Sequence, residues 1–405
     1  MMSTLRVWLG DRSVGWLVRD DAERTEFRMD PAYRADPARP VLGQRFVDDP
    51  DGRYRARMRL PPWFSNLLPE GLLRDEVARA HGFRSVREFE LIATLGEDLP
   101  GAVRVTSEDG AAPFAPDGAV DAPGPGPEAA PQPWKFSLAG VQLKFSVLRS
   151  GRGLTIPANG VGGDWIVKLP DARFSRVPEN EFATMTLAAA AGLDVPEVRL
   201  VPIETITGLP QGRWAEANAF AIRRFDRAPG GRRIHQEDFA QIVDQYPEGK
   251  YDSANYETVA AIVWRVVGDE ALARFLRRLV FCIGIGNADA HLKNWSLVYP
   301  DGRSPALSPA YDLVSTLQYL PEDRLALNLA RSKRWEDVTR SSFARLAKRI
   351  GADEGGVLAA VADGVERFRS AWSDSRGTSL PLDSSDRARI DAHLARVPLF
   401  TDRGR

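Results

Sequence analysis

The apolar positions of this 405-residue chain change period partway along, and that change limits the fold more than any other feature. Between residues 134 and 225 they alternate, which predicts strands over 145–148, 154–156, 165–169, 198–201 and 220–224, with one helix at 179–191 between them. From about residue 237 onward they recur every third or fourth position. Amphipathic helices are predicted there over 256–267, 270–283, 341–350, 354–370 and 385–396. A strand-rich half followed by a helix-rich half predicts a bilobed α+β protein with a cleft between the lobes. Ahead of them, Leu5, Val7, Leu9 and then Val14, Trp16, Val18 alternate about a Gly10-Asp11-Arg12 turn, as in a hairpin. Short helical patterns follow at 72–80 and 86–95, then a strand-like run at 102–105. Residues 108–133 are rich in Pro, Gly and Ala and poor in large apolar side chains, so they read as a linker or surface loop. The expected organisation is an N-terminal segment 1–107, the linker 108–133, a strand-rich lobe 134–226 and a helical lobe 227–405.

A net charge of −1 gives no global basic field, so contact with nucleic acid would need a local patch or a partner. One basic stretch, 223–233, has the charge to touch DNA or an acidic partner, and reads first as a solvated hairpin about Ala228-Pro229-Gly230-Gly231. Cys282 is the single cysteine and lies in an apolar helix. It excludes an intrachain disulfide and a cysteine zinc site, and it reads as inert core. With no signal-peptide pattern and no apolar run of about 18 residues, neither secretion nor a membrane span is expected, and a reducing cytoplasm fits.

The sharpest chemical signal is Asn287-Ala-Asp289-Ala-His291-Leu-Lys293-Asn294. Its Asp-x-x-x-x-Asn spacing is that of a protein-kinase catalytic loop, where a carboxylate orients the attacking hydroxyl and an amide oxygen binds the metal that bridges the phosphates. In isolation the same residues also make an ordinary Asn/Asp turn. A strand-like run, a turn and a second strand-like run then lead to Asp312. Asn294 and Asp312 supply two hard oxygen donors of the kind Mg²⁺ prefers, although a lone Asp also serves as a helix cap. Lys168 sits in an apolar strand, Asp164-Trp-Ile-Val-Lys168, where a kinase keeps its phosphate-binding lysine and where an edge-strand lysine also snorkels. Glu181 is its expected partner on the following helix, and Glu179 is the rival. Phe136-Ser137-Leu-Ala139-Gly140-Val141-Gln142-Leu-Lys144 has small residues that let backbone amides approach a phosphate, and it equally fits a turn entering a strand.

Taken in order, these motifs resemble the HipA family of bacterial kinase toxins. Ser137-Leu-Ala-Gly-Val-Gln-Leu-Lys144 is similar to the family's phosphate loop. Ile166-Val-Lys-Leu-Pro, Glu179-Asn-Glu-Phe, Arg224-Phe-Asp-Arg, the Asp289 loop and Pro309-Ala-Tyr-Asp312 follow in the family's order, as do Asn66-Leu-Leu-Pro-Glu-Gly and Leu95-Gly-Glu-Asp-Leu-Pro-Gly ahead of them. The resemblance implies a kinase-like fold using ATP and Mg²⁺. It implies Asp289 as catalytic base, Asn294 and Asp312 as metal ligands, and Lys168 with Glu181 on the phosphate side. Ala139, Gly140, Val141, Gln142 and Lys144 would form the phosphate loop, and Arg223, Arg224 and Phe225 the adenine hinge. Arg223 stands where an acidic residue is frequent in the family. His291 and Lys293 would complete the nucleotide site, with His291 as a loop-ordering hydrogen-bonding group rather than a proton relay. Ser137 would be an autophosphorylation site that switches the kinase off. Implied partners are a HipB-like helix-turn-helix antitoxin, DNA only through that antitoxin, and a protein substrate of the aminoacyl-tRNA synthetase class. Two other readings stay open on the residues alone: a small-molecule phosphotransferase of kinase-like fold, and a catalytically silent co-repressor.

Overall fold

Alternation along the first strands does what the sequence predicts. Leu5, Val7 and Leu9 point into a core while their neighbours stay half-buried. A computed structural model describes residues 2–71, 74, 87–107, 144–150, 153–155, 163–170, 173–209, 214, 216–320 and 323–401. In it, β1 (Ser3–Leu9), β2 (Arg12–Arg19), β3 (Arg24–Met29), β4 (Tyr54–Arg57) and β5 (Val103–Ser107) form an antiparallel sheet in the order β4-β3-β2-β1-β5. Gly15 lies where β1 and β2 bulge, and a Cβ there would sit 2.2 Å from the Arg28 carbonyl. Helix α1 (Glu88–Leu95) closes one side of the sheet, beneath an aromatic cluster of Phe27, Phe46, Tyr54, Trp63 and Phe64. The helical pattern at 72–80 falls largely outside the described residues.

A second sheet of six strands has the order β10-β7-β6-β8-β11-β9. Its strands are β6 (Lys144–Ser150), β7 (Gly153–Thr155), β8 (Trp165–Lys168), β9 (Val198–Pro202), β10 (Ile206–Thr207) and β11 (Asn218–Arg223). Period-two alternation gives its central strands two different faces. Trp165, Val167, Ala219 and Ala221 join the core under the N-terminal sheet, whereas Phe220 and Ile222 join the helical core. Ile166 and Lys168 are thereby turned toward a cleft. Helix α2 (Val177–Ala190) covers this sheet beside β11 and β9.

Helices α3 (Tyr256–Val266), α4 (Asp269–Gly284), α5 (Arg340–Ile350), α6 (Glu354–Asp374) and α7 (Ser384–Arg396) build the helical core, near where the 3.6-residue period predicts them. Side-chain caps from Asn255, Thr339, Asp353 and Asp383 fix four of their starts. Cys282 is buried on α4, where burial pushes its thiol up to about 12, consistent with inert core. No described helix is long and apolar enough to cross a membrane. A small sheet of β12 (His235–Asp238), β13 (Ser296–Tyr299) and β14 (Ala306–Leu307) bridges toward the N-terminal sheet. There the Glu237 carboxylate accepts from Gln44 N (2.7 Å), Trp63 Nε1 (3.0 Å) and Tyr299 Oη (2.6 Å), and His235 Nε2 meets the Leu42 carbonyl at 2.8 Å. Burial, opposed by those three donors, pushes the Glu237 carboxyl up to about 7.

The basic stretch corrects an expectation. Arg224 and Arg227 are not solvated but buried, sharing Asp226 and Asp98. Asp98 comes from the N-terminal segment, a pairing across more than a hundred residues that no local pattern announces.

Candidate functional site

The cleft between the six-stranded sheet and the loops that precede and follow β13 encloses about 880 Å³. Lys168, Glu181, Arg223, Arg224, Phe225, Asp289, His291, Lys293, Asn294 and Asp312 all line it. Ser137, Ala139, Gly140, Val141 and Gln142 lie outside the described residues, as does the side chain of Lys144.

Lys168 enters from β8 and its ammonium meets Glu181 Oε1 at 2.6 Å. Glu179 faces elsewhere and accepts from Asn218 (2.9 Å), so of the two rivals Glu181 is the one paired with the lysine. Lys168 also donates to Asp312, whose backbone takes a left-handed φ of 52° that a non-glycine residue rarely adopts. Burial alone would lower the Lys168 ammonium, but the carboxylates of Asp312 and Glu181 outweigh it and hold it above its ordinary value.

Asp289 stands on a loop whose shape is set locally. Its amide donates to Asn287 Oδ1 (2.9 Å), an Asx turn, and the preceding Gly286 has φ +62°, with Leu317 2.6 Å from where a Cβ would be. Thr316 Oγ1 ties the Gly286 carbonyl (2.9 Å) to the Ala288 amide (3.1 Å). Asn294 donates its amide to the Asp289 carbonyl (2.8 Å), which leaves its side-chain oxygen for another partner. The Asp289 carboxylate is half exposed and accepts from the Tyr251 hydroxyl. His291 Nε2 is 3.8 Å from the same oxygen, beyond hydrogen-bond reach, and its ring stands against that of Tyr251. Burial keeps the His291 imidazole below its ordinary value.

The segment 223–225, expected as the adenine hinge, is held from both sides. The Arg223 and Arg224 amides donate to the Glu197 and Asp164 carbonyls (each 2.8 Å), and the Phe225 ring lies 5.4 Å from that of Tyr311. Lys293 turns toward the N-terminal segment, donating to Asn66 Oδ1 (3.0 Å) and the Asn66 carbonyl (2.9 Å), with Glu70 at 3.2 Å and Asp238 at 3.4 Å. Glu70 also pairs with Lys250 (2.8 Å). Burial would raise the Glu70 carboxyl, but the two lysines bring it down to about 2. Glu70, Lys250 and Tyr251 therefore belong to the site and were missed. Asn66 and Glu70 stood in a motif recognised only by resemblance, and nothing periodic marks 250–251.

Among the described residues no group of three or more His, Cys, Asp or Glu could hold a metal by itself. The Asn294 and Asp312 oxygens suit a hard divalent cation that completes its shell from phosphate and water.

The chain matches two protein-family models, the HipA N-terminal domain over residues 5–106 and the HipA-like C-terminal domain over 136–372. It is 44% identical to a Sinorhizobium fredii protein named as a kinase, Y4dM, over 99% of this chain and 98% of that one. It is 26% identical to the serine/threonine-protein kinase toxin HipA of Shewanella oneidensis over 78% of this chain and 76% of that one. A solved structure of the Shewanella oneidensis HipA, HipB and operator DNA complex aligns with a TM-score of 0.74 at 22% identity, covering 98% of this chain and 96% of that one, and shares the fold.

Proposed function

Since the chain belongs to the HipA family of kinase toxins, we propose that it is an ATP-dependent serine/threonine protein kinase and the toxin of a toxin–antitoxin pair. The observation that carries this reading is the convergence of Lys168–Glu181, Asp289, Asn294 and Asp312 on one cleft. In the reaction, Lys168 holds the nucleotide phosphates and Glu181 holds Lys168. Asp289 orients the acceptor hydroxyl. Its oxygen forms the bond to the γ-phosphorus as the bond to the bridging oxygen breaks, its proton passes to Asp289 and on to water, and ADP leaves. Mg²⁺ held by Asn294 and Asp312 would supply charge neutralisation at the phosphates. The hinge at Arg223, Arg224 and Phe225 would meet the adenine, and residues 139–144 would cradle the phosphates.

The partner in this reading is a HipB-like helix-turn-helix antitoxin, with DNA reached through it. The substrate is a protein of the aminoacyl-tRNA synthetase class, and the compartment is the cytoplasm. By the family resemblance Ser137 is the autophosphorylation site, and a dianionic side chain there would repel bound ATP phosphates and so switch the kinase off. The test is incubation with Mg²⁺ and radiolabelled ATP, with and without purified synthetases, alongside Asp289→Asn and Ser137→Ala. Labelling of the wild type that Asp289→Asn abolishes is expected, with self-labelling lost in Ser137→Ala. An unlabelled wild type in every mixture would sink the kinase reading, and self-labelling that survives Ser137→Ala would move the switch elsewhere.

A further inference from the structure

The hydroxyl on Asp289 belongs to a residue with no role in the reading above. Tyr251 donates to Asp289 Oδ1, and the contacts around it anchor the residue that carries that hydroxyl. The Leu292 amide, in the catalytic loop itself, donates to the Lys250 carbonyl at 3.2 Å. The Lys250 ammonium is anchored on Glu70 at 2.8 Å. From the opposite side Lys333 donates to the Tyr251 carbonyl and to Asp252 Oδ1, both at 3.0 Å. The Tyr251 ring stands edge-on to His291, with centroids 4.9 Å apart. A tyrosine pinned by its neighbours, its backbone and its ring is no loose lid.

Asp289 has the opposite problem. Its backbone is fixed by the Asx turn, but its side chain is 53% exposed, and His291 is too distant to hold it. A carboxylate in water samples rotamers, and a misplacement of about 1 Å in a reacting group can cost on the order of 100-fold in rate. We propose that Tyr251 is a positioning residue for phosphoryl transfer: its phenol binds Asp289 Oδ1, fixes the carboxylate, and leaves the second oxygen to the acceptor hydroxyl. Burial and the neighbouring Asp289 charge keep the phenol protonated, so it remains a donor. Because Lys250 is held by Glu70, the N-terminal segment takes part in this arrangement at one remove.

The inference rests on Asp289 being the catalytic base, and the experiment separates the two. Full-length wild type, Tyr251→Phe, Tyr251→Ala and Asp289→Asn are compared for the initial rate of self-labelling from radiolabelled MgATP, with ATP titrated and thermal melting recorded. Tyr251→Phe should lose roughly 10- to 100-fold in maximal rate. Its half-saturating ATP should stay within about twofold and its melting temperature should be unchanged, because uniform ground-state binding is untouched. Tyr251→Ala should be no slower than Tyr251→Phe by more than about threefold, since the hydroxyl carries the effect. A Tyr251→Phe rate equal to wild type, with Asp289→Asn inactive, overturns the role of Tyr251 and leaves that of Asp289. A faster rate would mean that the phenol blocks the acceptor's place, and phosphate recovered on Tyr251 would make it an acceptor; either overturns the proposal. An active Asp289→Asn, or an inactive wild type, removes the premise itself.

Discussion

Replacing Asp98 by Asn should destabilise the whole protein through four buried charges. Asp98 Oδ1 accepts from Arg227 Nη2 at 2.9 Å and Arg224 Nη1 at 3.2 Å. Asp226 answers the same two guanidiniums at 2.8 Å each and takes the Gly101 amide at 2.8 Å. All four side chains are at most 9% exposed, so the cluster is electrically neutral and nearly dry. The substitution leaves two cations sharing one anion. Breaking a buried pair from one side costs about 3–5 kcal/mol. The amide keeps one acceptor oxygen, which places the expected loss near the lower figure, about 3 kcal/mol. Urea unfolding followed through the tryptophans measures it. Because the charges are out of solvent, the loss should be the same at low salt and at about 0.5 M. Adding Arg227→Met restores charge balance and should recover part of the loss, a coupling that a double-mutant cycle reads directly. Arg224 borders the cleft, so half-saturating ATP should rise in the single variant. A loss below about 1 kcal/mol, or one that salt abolishes, would refute the argument.

Three further outcomes are expected. Lys168→Met should cut phosphate transfer by roughly 100-fold or more in a radiolabel assay, because it removes the ammonium that Glu181 and Asp312 share. Glu237 has a folded-state carboxyl near 7 against an ordinary 4.5, so the folded protein binds that proton more tightly than the unfolded chain does. Its stabilising contribution is full below about 4.5 and is lost as pH rises through 7, amounting to about 3 kcal/mol; in denaturation across that window the wild type should lose about that much stability relative to Glu237→Gln, whose neutral amide does not titrate. Gly286→Ala should cost about 1–3 kcal/mol by calorimetry and slow catalysis, since φ is +62° and the new methyl would meet Leu317.

Elements with a strong period were legible in the sequence. Leu5, Val7 and Leu9 announced β1, and the helices α3 to α7 lie near the stretches their periodicity marked. β12 was not legible, because His-Gln-Glu-Asp carries no apolar alternation and its strand is held by pairing with β13, sixty residues on. In the site, Asp289 and Asn294 were visible because their chemistry fixes a short spacing, Lys168 because it stands in an apolar strand, and Asp312 because it ends a strand–turn–strand run. The contacts of Asn66, Glu70 and Tyr251 were not, since each meets its partner across 38 to 227 residues. Arg224 and Arg227 misled for the same reason: a basic run looks solvated until the distant carboxylates that neutralise it are known.

The core beneath the N-terminal sheet also contains Val147, Trp165, Val167, Ala219 and Ala221. During synthesis, then, β5 is complete at Ser107 while the far wall of its own core ends in β11, about 115 residues later. At 5–20 residues per second the ribosome needs roughly 6–23 s to deliver that wall. Through this interval the nascent chain presents one uncovered apolar face, a window suited to chaperones that bind polypeptides as they emerge.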